Sequence, residues 1–371
     1  MPRPVDRIRI ESEAGSFNLF TSCTLINDLL QPSELSFECG NDDTWRSLRP
    51  IIAHGKTFKV YLNDRIRLNG KVYSNRIPMD ANGSTVQVTI KSRMADAWYA
   101  SADPRIRVQN TSVKEFLLAL YKPLGFTEQD FIFRGDVMQS LMTGQKVKGG
   151  KNPRYIEGIT LDQAKVQIPE TIHDAAARHL KRHGLSHWDT PDGRIYVGPY
   201  DDQQMPIYRF SCRRDGRGSN NILSATKIAD WSDVPSVINV FGFGSSKDVE
   251  KTKVGASSVW QDVVDAGFYR PVYIQNDNLK SQELADRQAR QERANRSRQK
   301  DAYEVTIDGW SYWNGSAAIP YAPNTTADVD IANHGGGQGK YYCFKTSMTL
   351  DAMGAASTSL SLAAPGIFDI G

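Results

Sequence analysis

The sequence predicts an α+β protein in which β-sheet predominates. Through most of the first hundred residues, apolar and polar side chains alternate with a period of two, which is typical of strands with one buried face. The same alternation returns late in the chain, in residues 302–310, 340–350 and 357–365. Between these regions, residues 112–126 and 171–184 place apolar side chains at helical spacing. We therefore expect two antiparallel β regions with a small helix-plus-hairpin α+β domain between them.

The opening β region contains several short strands separated by turn-forming pairs. The alternating segments are residues 58–62, 65–68, 71–74 and 85–90, with Asn63-Asp64, Asn69-Gly70 and Asn82-Gly83 between them. Asn-Gly between alternating strands favours a type I′ turn, because both central residues take positive φ. With Asn69 and Gly70 as the loop residues, Leu68 would face Lys71 across a hairpin. The region therefore predicts an antiparallel sheet or a small barrel.

The middle region is expected to contain two helices and a hairpin. The apolar face of the first helix consists of Val113, Phe116, Leu117 and Leu120, with Thr111 or Ser112 as the N-cap and Pro123 at the end. The second helix, with Ile172 on its apolar side, begins at Thr171 and ends at Gly184. A Pro-Asp-Gly turn within residues 185–200 predicts the hairpin. Residues 142–158, rich in Gly, Lys and Asn, predict an exposed loop.

The last region begins near Pro206 and returns to strands. Residues 237–244 form an apolar run that predicts a strand, whereas residues 281–301 have the composition of a helix with little apolar surface. The expected domains are residues 1–100, residues 101–205, and residues 206–371 with a basic helix near 281–300.

Composition limits the classes of function. With 371 residues, 40% apolar and 23% charged residues and a net charge of +3, the chain is expected to be soluble and to have more than one domain. This charge does not indicate a strong nucleic-acid-binding surface. No signal peptide and no apolar run long enough for a membrane span are found, so we expect no membrane partner and a cytosol-like compartment. The scattered cysteines, Cys23, Cys39, Cys212 and Cys343, predict buried free thiols rather than zinc ligands.

Four histidines, His173, His179, His183 and His187, are the one cluster of metal-ligating residue types. The last three are spaced four apart and could share a helix face, which is ligand-like spacing. Gly184 should end the helix before His187, however, and no H-E-x-x-H motif is present. We therefore expect a solvated helix end, where imidazoles suit the negative end of the helix dipole.

No catalytic or cofactor motif is complete. In residues 334–342, His334 replaces the first glycine of a phosphate-binding loop and Tyr341 replaces its Ser or Thr. Residues 242–247 lack the third glycine of a dinucleotide-binding turn, and no G-x-S-x-G is present. Among 42 acidic residues, no pair stands out as a glycosidase site. We predict no catalytic, cofactor-binding or metal-binding residue, no cofactor and no enzyme activity.

Three basic stretches, residues 146–151, 213–218 and 281–301, are expected to be solvated surface. The alternative is that they contact an acidic partner, or the phosphates of nucleic acid in a sequence-independent and salt-sensitive manner.

Taken in order, a series of motifs resembles the baseplate hub proteins of contractile-tailed phages, the Mu-type tail protein P family, which is similar in architecture to the T-even hub. The motifs are V-x-L-N-D…L-N-G-K-V (60–72), V-x-V-T-I-K-S-R-x-A-D-A (86–97), W-D-T-P-D-G-R-I-Y-V-G (188–198), N-N-I-L-S-A-T…V-I-N-V-F-G (220–242), Y-R-P-V-Y-I (269–274), A-D-R-Q-A-R-Q-E-R-A-N-R-S-R (285–298), V-T-I-D-G-W (305–310), Y-Y-C-F-K-T-S-M-T-L-D (341–351) and S-T-S-L-S-L-A-A-P (357–365). Each motif is weak by itself, so the resemblance depends on their order and spacing across nearly the whole chain.

The resemblance implies a structural baseplate hub. In that family a homotrimer carries two barrel-like domains per subunit that resemble the tail-tube subunit, and three chains thus adapt a three-fold spike to a six-fold tube. The implied partners are the tail spike protein, the tail tube protein or a tube initiator, and other baseplate components, with contact to the tape-measure protein left open. The implied location is the tail baseplate of the virion, after assembly in the host cytoplasm. No specific nucleic acid is implied.

Two alternatives remain at this point. A tail-associated peptidoglycan hydrolase would need an essential pair of carboxylates. A sequence-independent nucleic-acid-binding module would show affinity that falls steeply with salt.

Overall fold

A computed structural model describes residues 6–13, 15–18, 20–40, 43–80, 83–133, 154–157, 159–213, 220–243, 253–276, 279, 282–296, 300–331 and 337–364. The strands are β1 (Ile8–Ser12), β2 (Gly15–Phe17), β3 (Ser22–Asp28), β4 (Glu34–Gly40), β5 (Thr57–Leu62), β6 (Arg65–Arg76), β7 (Met79–Asp80), β8 (Gly83–Ser92), β9 (Arg107–Ser112), β10 (Phe131–Ile132), β11 (Thr160–Lys165), β12 (Ser186–Asp189), β13 (Ile195–Gly198), β14 (Tyr208–Ser211), β15 (Ile222–Ile228), β16 (Val237–Phe243), β17 (Lys253–Val259), β18 (Pro271–Gln275), β19 (Ala302–Asp308), β20 (Ser311–Trp313), β21 (Ala318–Pro320), β22 (Thr325–Ile331), β23 (Gly337–Leu350) and β24 (Ala356–Ala363). The α-helices are Asp43–Leu48, Asp96–Tyr99, Val113–Tyr121, Arg154–Glu157, Ile172–Lys181, Gln261–Asp265 and Gln282–Arg296, and short 3-10 helices span Arg93–Ala95, Lys122–Leu124 and Glu128–Asp130.

One 14-stranded sheet, here called the main sheet, dominates the molecule. Its strand order is β15-β19-β24-β23-β3-β4-β8-β6-β5-β1-β2, with β7, β14 and β22 attached beside this path. Neighbours along this path are antiparallel, whereas β14 and β22 are parallel. The prediction of a mainly β protein with large antiparallel sheets is confirmed.

The two predicted β regions meet in this sheet rather than in separate ones. Strand β3 pairs with β23 from Asp28 opposite Lys345 to Cys23 opposite Leu350. Side chains from both regions, such as Phe37 and Tyr321, also share one apolar core. The domain boundaries at residues 100 and 205, and the closure of each region into a barrel, remain predictions.

The Asn69-Gly70 hairpin prediction is wrong. Strand β6 passes straight through both residues, and Gly70 pairs with Phe58 on one side and Ser92 on the other. A Cβ atom on Gly70 would lie 2.0 Å from the Lys91 carbonyl oxygen, so the glycine permits close approach of two strands rather than a turn. The β5–β6 turn is instead the adjacent pair Asn63-Asp64, with φ of 50° and 62°. Asn82, in the third pair, lies outside the described residues.

The middle unit, residues 93–200, follows the predicted helix-plus-hairpin pattern. The first helix, Val113–Tyr121, is capped by Ser112, whose side chain and that of Glu115 form a reciprocal capping box. The second helix, Ile172–Lys181, is capped by Thr171. Its predicted hairpin is β12 paired with β13. Most of the predicted loop at 142–158 lies outside the described residues, and Arg154–Glu157 within it is helical.

Among the contacts that attach the middle unit to the main sheet, two come from the β12–β13 hairpin. The buried Asp189 carboxylate accepts a hydrogen bond from the Ser33 N–H at 3.2 Å. The Asn69 side chain donates to the Asp192 carbonyl oxygen at 2.9 Å. Asn69, which was expected in a turn, therefore connects two parts of the molecule.

The described residues between 229 and 301 form a second small unit, here called the inserted unit, which the sequence interpretation did not separate from the last β region. It interrupts the β15–β19 hairpin, because Ile228 at its start pairs with Ala302 at its end. Its strands form the sheet β17-β16-β18, and its core side chains, such as Val240 and Ala289, all lie between residues 231 and 289. The helix Gln282–Arg296 covers one face of this sheet through the side chains Leu284, Ala285 and Ala289.

Both units project from the same end of the main sheet. Ala302, at the start of β19, lies opposite Ala363 in β24. Following the paired residues from β24 across β23, β3 and β4 leads to Glu34, which lies opposite Lys91 near the end of β8. The start of β19 and the end of β8 are thus at one end of the sheet, where the chain passes to the inserted unit and to the middle unit.

We predict that Gly70→Ala destabilises the protein by about 3 kcal/mol or more, because the new methyl group would overlap a backbone carbonyl that cannot rotate away. Gly255→Ala in β17 is the matched control, since its Cβ would meet no atom closer than 3.6 Å. The measurement is the urea unfolding midpoint of each variant. Equal midpoints for the two variants would contradict the close approach of β6 and β8.

Candidate functional site

One face of the main sheet, here called the polar face, is a regular surface that spans both β regions. Directly opposed residues form a row across six strands, consisting of Asp308, Ser357, Thr349, Thr24, Ser36 and Thr89. The next row contains Thr306, Ser359, Ser347, Ile26, Glu34 and Lys91. Because side chains alternate between faces along a strand, these rows lie on the same side of the sheet. In the first row hydroxyl groups extend across the junction of the two β regions, whereas Ile26 interrupts the second row there.

The opposite face of the same strands is apolar and buried. Its central row is Ile307, Thr358, Met348, Leu25, Leu35 and Ile90, and each of these residues is at most 3% exposed. A one-residue slip of any strand would exchange the two faces, so the apolar row fixes the register of the hydroxyl row. The sequence alternation that predicted the strands thus also determines which residues reach the polar face.

Several charged groups on the polar face are paired with neighbours. Glu34 and Lys91 form an ion pair at 3.2 Å, and the Ser36 hydroxyl donates to Glu34 at 3.2 Å. The Gln87 amide donates to Glu38 at 2.6 Å. These residues line an open depression of about 520 Å³ between β3, β4, β8 and β6. The arrangement satisfies the polar groups locally and gives a hydrated wall, not a pocket that encloses a small molecule.

The strand path of the main sheet ends in two outer strands, and beside this path β14 pairs with β22 alone in the described residues. Strand β15 has β19 as its one neighbour in the described part of the chain, and strand β2 has β1. Leu223 in β15 is 64% exposed. An outer strand offers unpaired N–H and C=O groups, which makes it a site for pairing with another chain.

The expectation of solvated histidines is wrong for His179 and His187, which are 2% and 3% exposed. His187 Nε2 lies 2.8 Å from the Tyr121 hydroxyl, and the ring of His173 stacks between Trp98 and His187, with centroid distances of 3.7 and 4.6 Å. Burial lowers the pKa of His173 to about 4 and that of His179 to about 3. The helix Ile172–Lys181 turns His173 and His179 inward, and His187 is buried on β12, so these rings serve as neutral core side chains.

Two further charged groups are buried where parts of the molecule meet. Arg67, 1% exposed, donates to the Tyr321 carbonyl oxygen at 2.6 Å and so connects β6 to the last β region. Burial lowers the pKa of Arg67 to about 10 and raises the pKa of Asp189 to about 6. Both groups face internal joints and have no access to a cleft. The sequence contains no local signal that marks either residue, because each is surrounded by residues distant in the chain.

The remaining candidate motifs show no assembled chemistry. Within the described residues, no three His, Cys, Asp or Glu side chains come together in a metal-binding group. Residues 337–342 of the glycine-rich stretch belong to β23, and residues 242–243 belong to β16. The remainder of both stretches, residues 146–151 and residues 214–218 lie outside the described residues. Cys23, Cys39 and Cys343 are buried free thiols as predicted, and Cys212 is half-buried.

The basic helix is only in part the solvated surface that was expected. Ala285 and Ala289 are buried against the sheet of the inserted unit. The Arg293 guanidinium lies over the Trp260 ring at 4.9 Å, and Arg287 pairs with Glu283 at 2.7 Å. Part of the positive charge of this helix is therefore used within the inserted unit.

The fold is that of known phage tail proteins. The chain superposes on the tail protein of Neisseria meningitidis MC58 with a TM-score of 0.74, 16% identity and 98% coverage of both chains. The 43 kDa tail protein of prophage MuSo2 from Shewanella oneidensis gives the same TM-score with 17% identity, covering 98% of this chain and all of the other. A component of the E. coli type VI secretion system, described as structurally similar to the T4 tail proteins gp27 and gp5, gives 0.52 with 9% identity, covering 97% of this chain and 78% of the other.

In sequence, the chain is similar to the baseplate hub protein gp44 of Escherichia phage Mu. The two are 20% identical over 322 residues, which span 84% of this chain and 76% of gp44. No protein-family model matches the chain. The predicted resemblance to the Mu-type baseplate hub proteins is confirmed. None of the helices in the described ranges has the length and hydropathy needed to cross a bilayer.

We predict that Asp189→Asn stabilises the protein at pH 7 by up to about 3 kcal/mol and has no effect near pH 4. The folded pKa of about 6 exceeds the unfolded value near 3.9, so the wild-type carboxyl loses stability as pH rises between these values, whereas an amide stays neutral. The measurement is the urea unfolding free energy from pH 4 to 7. Asp43→Asn, at a side chain 95% exposed, is the control. A difference from wild type that does not change with pH would contradict the burial of an ionisable Asp189.

Proposed function

We propose that the protein is a structural hub of a contractile phage tail baseplate, in which three copies form a ring between a three-fold central spike and a six-fold tail tube. The observation that carries this proposal is the main sheet, which runs through both β regions with one polar and one apolar face and has an outer strand at each end. The similarity to gp44 of phage Mu supports the assignment to a baseplate hub.

The two ends of the strand path support a ring. Because β15 and β2 are different strands, pairing one end with the other end of the next copy gives a head-to-tail contact, which closes when the rotation per copy divides a full turn. Two β regions per chain and three chains give six repeats around the ring, the number that the resemblance implies for the tube. Closure would also protect both outer strands from non-specific pairing.

The polar face would then line the ring. A wall of hydroxyl groups with locally paired charges remains hydrated and has few apolar groups to which passing material can adhere. The expected partners are the tail spike protein, the tail tube protein or its initiator, and other baseplate components. The role is structural rather than catalytic, and the protein would assemble in the host cytoplasm and reside in the virion.

The first measurement is the mass of the purified protein by light scattering over a concentration series. We expect a species of three times the chain mass of 41.4 kDa. A monomer at every concentration, also in the presence of the spike protein, would overturn the ring.

Leu223→Lys tests the sheet end. We predict that this change raises the concentration at which the trimer dissociates by about tenfold or more, because each of the three contacts gains a charge at an outer strand. Met353→Lys is the matched control, since Met353 is 94% exposed in the turn between β23 and β24, away from the outer strands. Unchanged dissociation of the Leu223 variant would exclude β15 from the contact.

A further inference from the structure

The inserted unit has one sheet face that nothing in the described chain covers. The helix Gln282–Arg296 packs on the side that carries Ile238, Val240 and Ala256. The other side, here called the uncovered face, carries Val237, Asn239 and Phe241 of β16, with Val259 and Tyr273 on the flanking strands.

The uncovered face is apolar and exposed. Phe241, Val259 and Tyr273 are 49%, 46% and 65% exposed. The rings of Phe241 and Tyr273 stack with their centroids 6.3 Å apart and their planes 11° apart, so they form one continuous apolar surface. Tyr269, just before β18, is 82% exposed. Contiguous exposed aromatic residues of this kind are typical of protein contacts.

The area of the uncovered face indicates what kind of partner it fits. Three strands about 4.8 Å apart and five residues long at about 3.4 Å per residue cover about 240 Å². A stable protein contact needs about 800 Å² on each partner. The face is therefore too small to hold an independent protein, and its occupant must also contact a surface continuous with it.

Strand β15 is the part of the main sheet that leads into the inserted unit. It ends at Ile228, immediately before the inserted unit begins, and it is an outer strand of the main sheet. A second copy that pairs with β15 would bring its own middle unit to the level of the inserted unit, because both units project from the same end of the sheet. The middle unit exposes Tyr99 and Ile168, at 62% and 81%.

We propose that the uncovered face of the inserted unit is a subunit contact that packs against the middle unit of a second copy of this chain. This inference rests on the proposed ring and adds to it a second contact, made by side chains rather than by strand pairing. This contact between the inserted unit and the neighbouring subunit, outside the main sheet, is here called the clasp.

The test is the double variant Phe241→Thr/Tyr273→Thr. Both rings point away from the core of the inserted unit, and Thr is a favourable strand residue, so we expect the fold to persist. The expected result is a rise of about tenfold or more in the concentration at which the trimer dissociates, measured by light scattering. Trp313→Thr in β20, an aromatic side chain 45% exposed at the other end of β19, is the matched control and should leave dissociation unchanged.

The outcomes distinguish a failure of the proposed side-chain contact, the clasp, from a failure of the proposed trimeric ring. If wild type is a trimer and the double variant dissociates as wild type does, the clasp is overturned and the ring stands. If wild type is a monomer at every concentration, the ring fails and the clasp fails with it.

A second measurement does not depend on the stability of the double variant. In Ser257→Cys, the thiol would lie on the uncovered face opposite Asn239, and its rate of reaction with a maleimide should fall severalfold on trimer formation. Gln282→Cys, exposed on the helix side, should react at the same rate in both states. Wild-type protein gives the background of the natural cysteines. Equal rates for Ser257→Cys above and below the dissociation concentration would overturn the clasp.

Discussion

The pairing of β3 with β23 is the contact on which the architecture depends. It joins strands that are more distant in the sequence than any other neighbours in the main sheet, and it places Leu25 opposite Met348 on the buried side and Thr24 opposite Thr349 on the polar side. The apolar core can span both β regions only because this ladder brings them edge to edge. Contacts so distant in sequence carry a larger loop-closure cost than local ones and slow the folding of a chain.

The buried charges lie at the joints that this ladder creates. Arg67 bonds to the Tyr321 carbonyl and accepts through its own carbonyl from Asn27, so it links β3, β6 and the last β region. The Asp189 carboxylate accepts a hydrogen bond from the Ser33 N–H and so links the middle unit to the main sheet. Some buried polar groups can form their hydrogen bonds in only one arrangement of the parts. Such groups favour that arrangement over others that bury a similar apolar area. We interpret these residues as determinants of how the parts are positioned, whereas the apolar rows supply the stability.

Local chemistry explains what could be predicted from the sequence. Thr171 was identifiable as a helix cap, and Ser112 as one of two candidates beside Thr111, because a cap and the apolar face that follows it are neighbours in sequence. The Asn69-Gly70 hairpin prediction failed because a glycine suits both a tight turn and the close approach of two strands. The position of the Lys91 carbonyl oxygen distinguishes the two cases. The buried imidazoles and the separate core of the inserted unit likewise depend on packing between distant residues, which residue spacing does not encode.

The insertion of residues 229–301 into the β15–β19 hairpin also affects the order in which the chain can fold. Ile228 and Ala302 are paired, yet a long segment separates them. While that segment is unfolded, closing the hairpin costs the entropy of a long loop. Once the inserted unit has folded on its own core, its two ends lie side by side and the hairpin closes almost as though joined by a short turn. Folding of the inserted unit before the hairpin would thus remove most of the loop-closure cost of pairing β15 with β19.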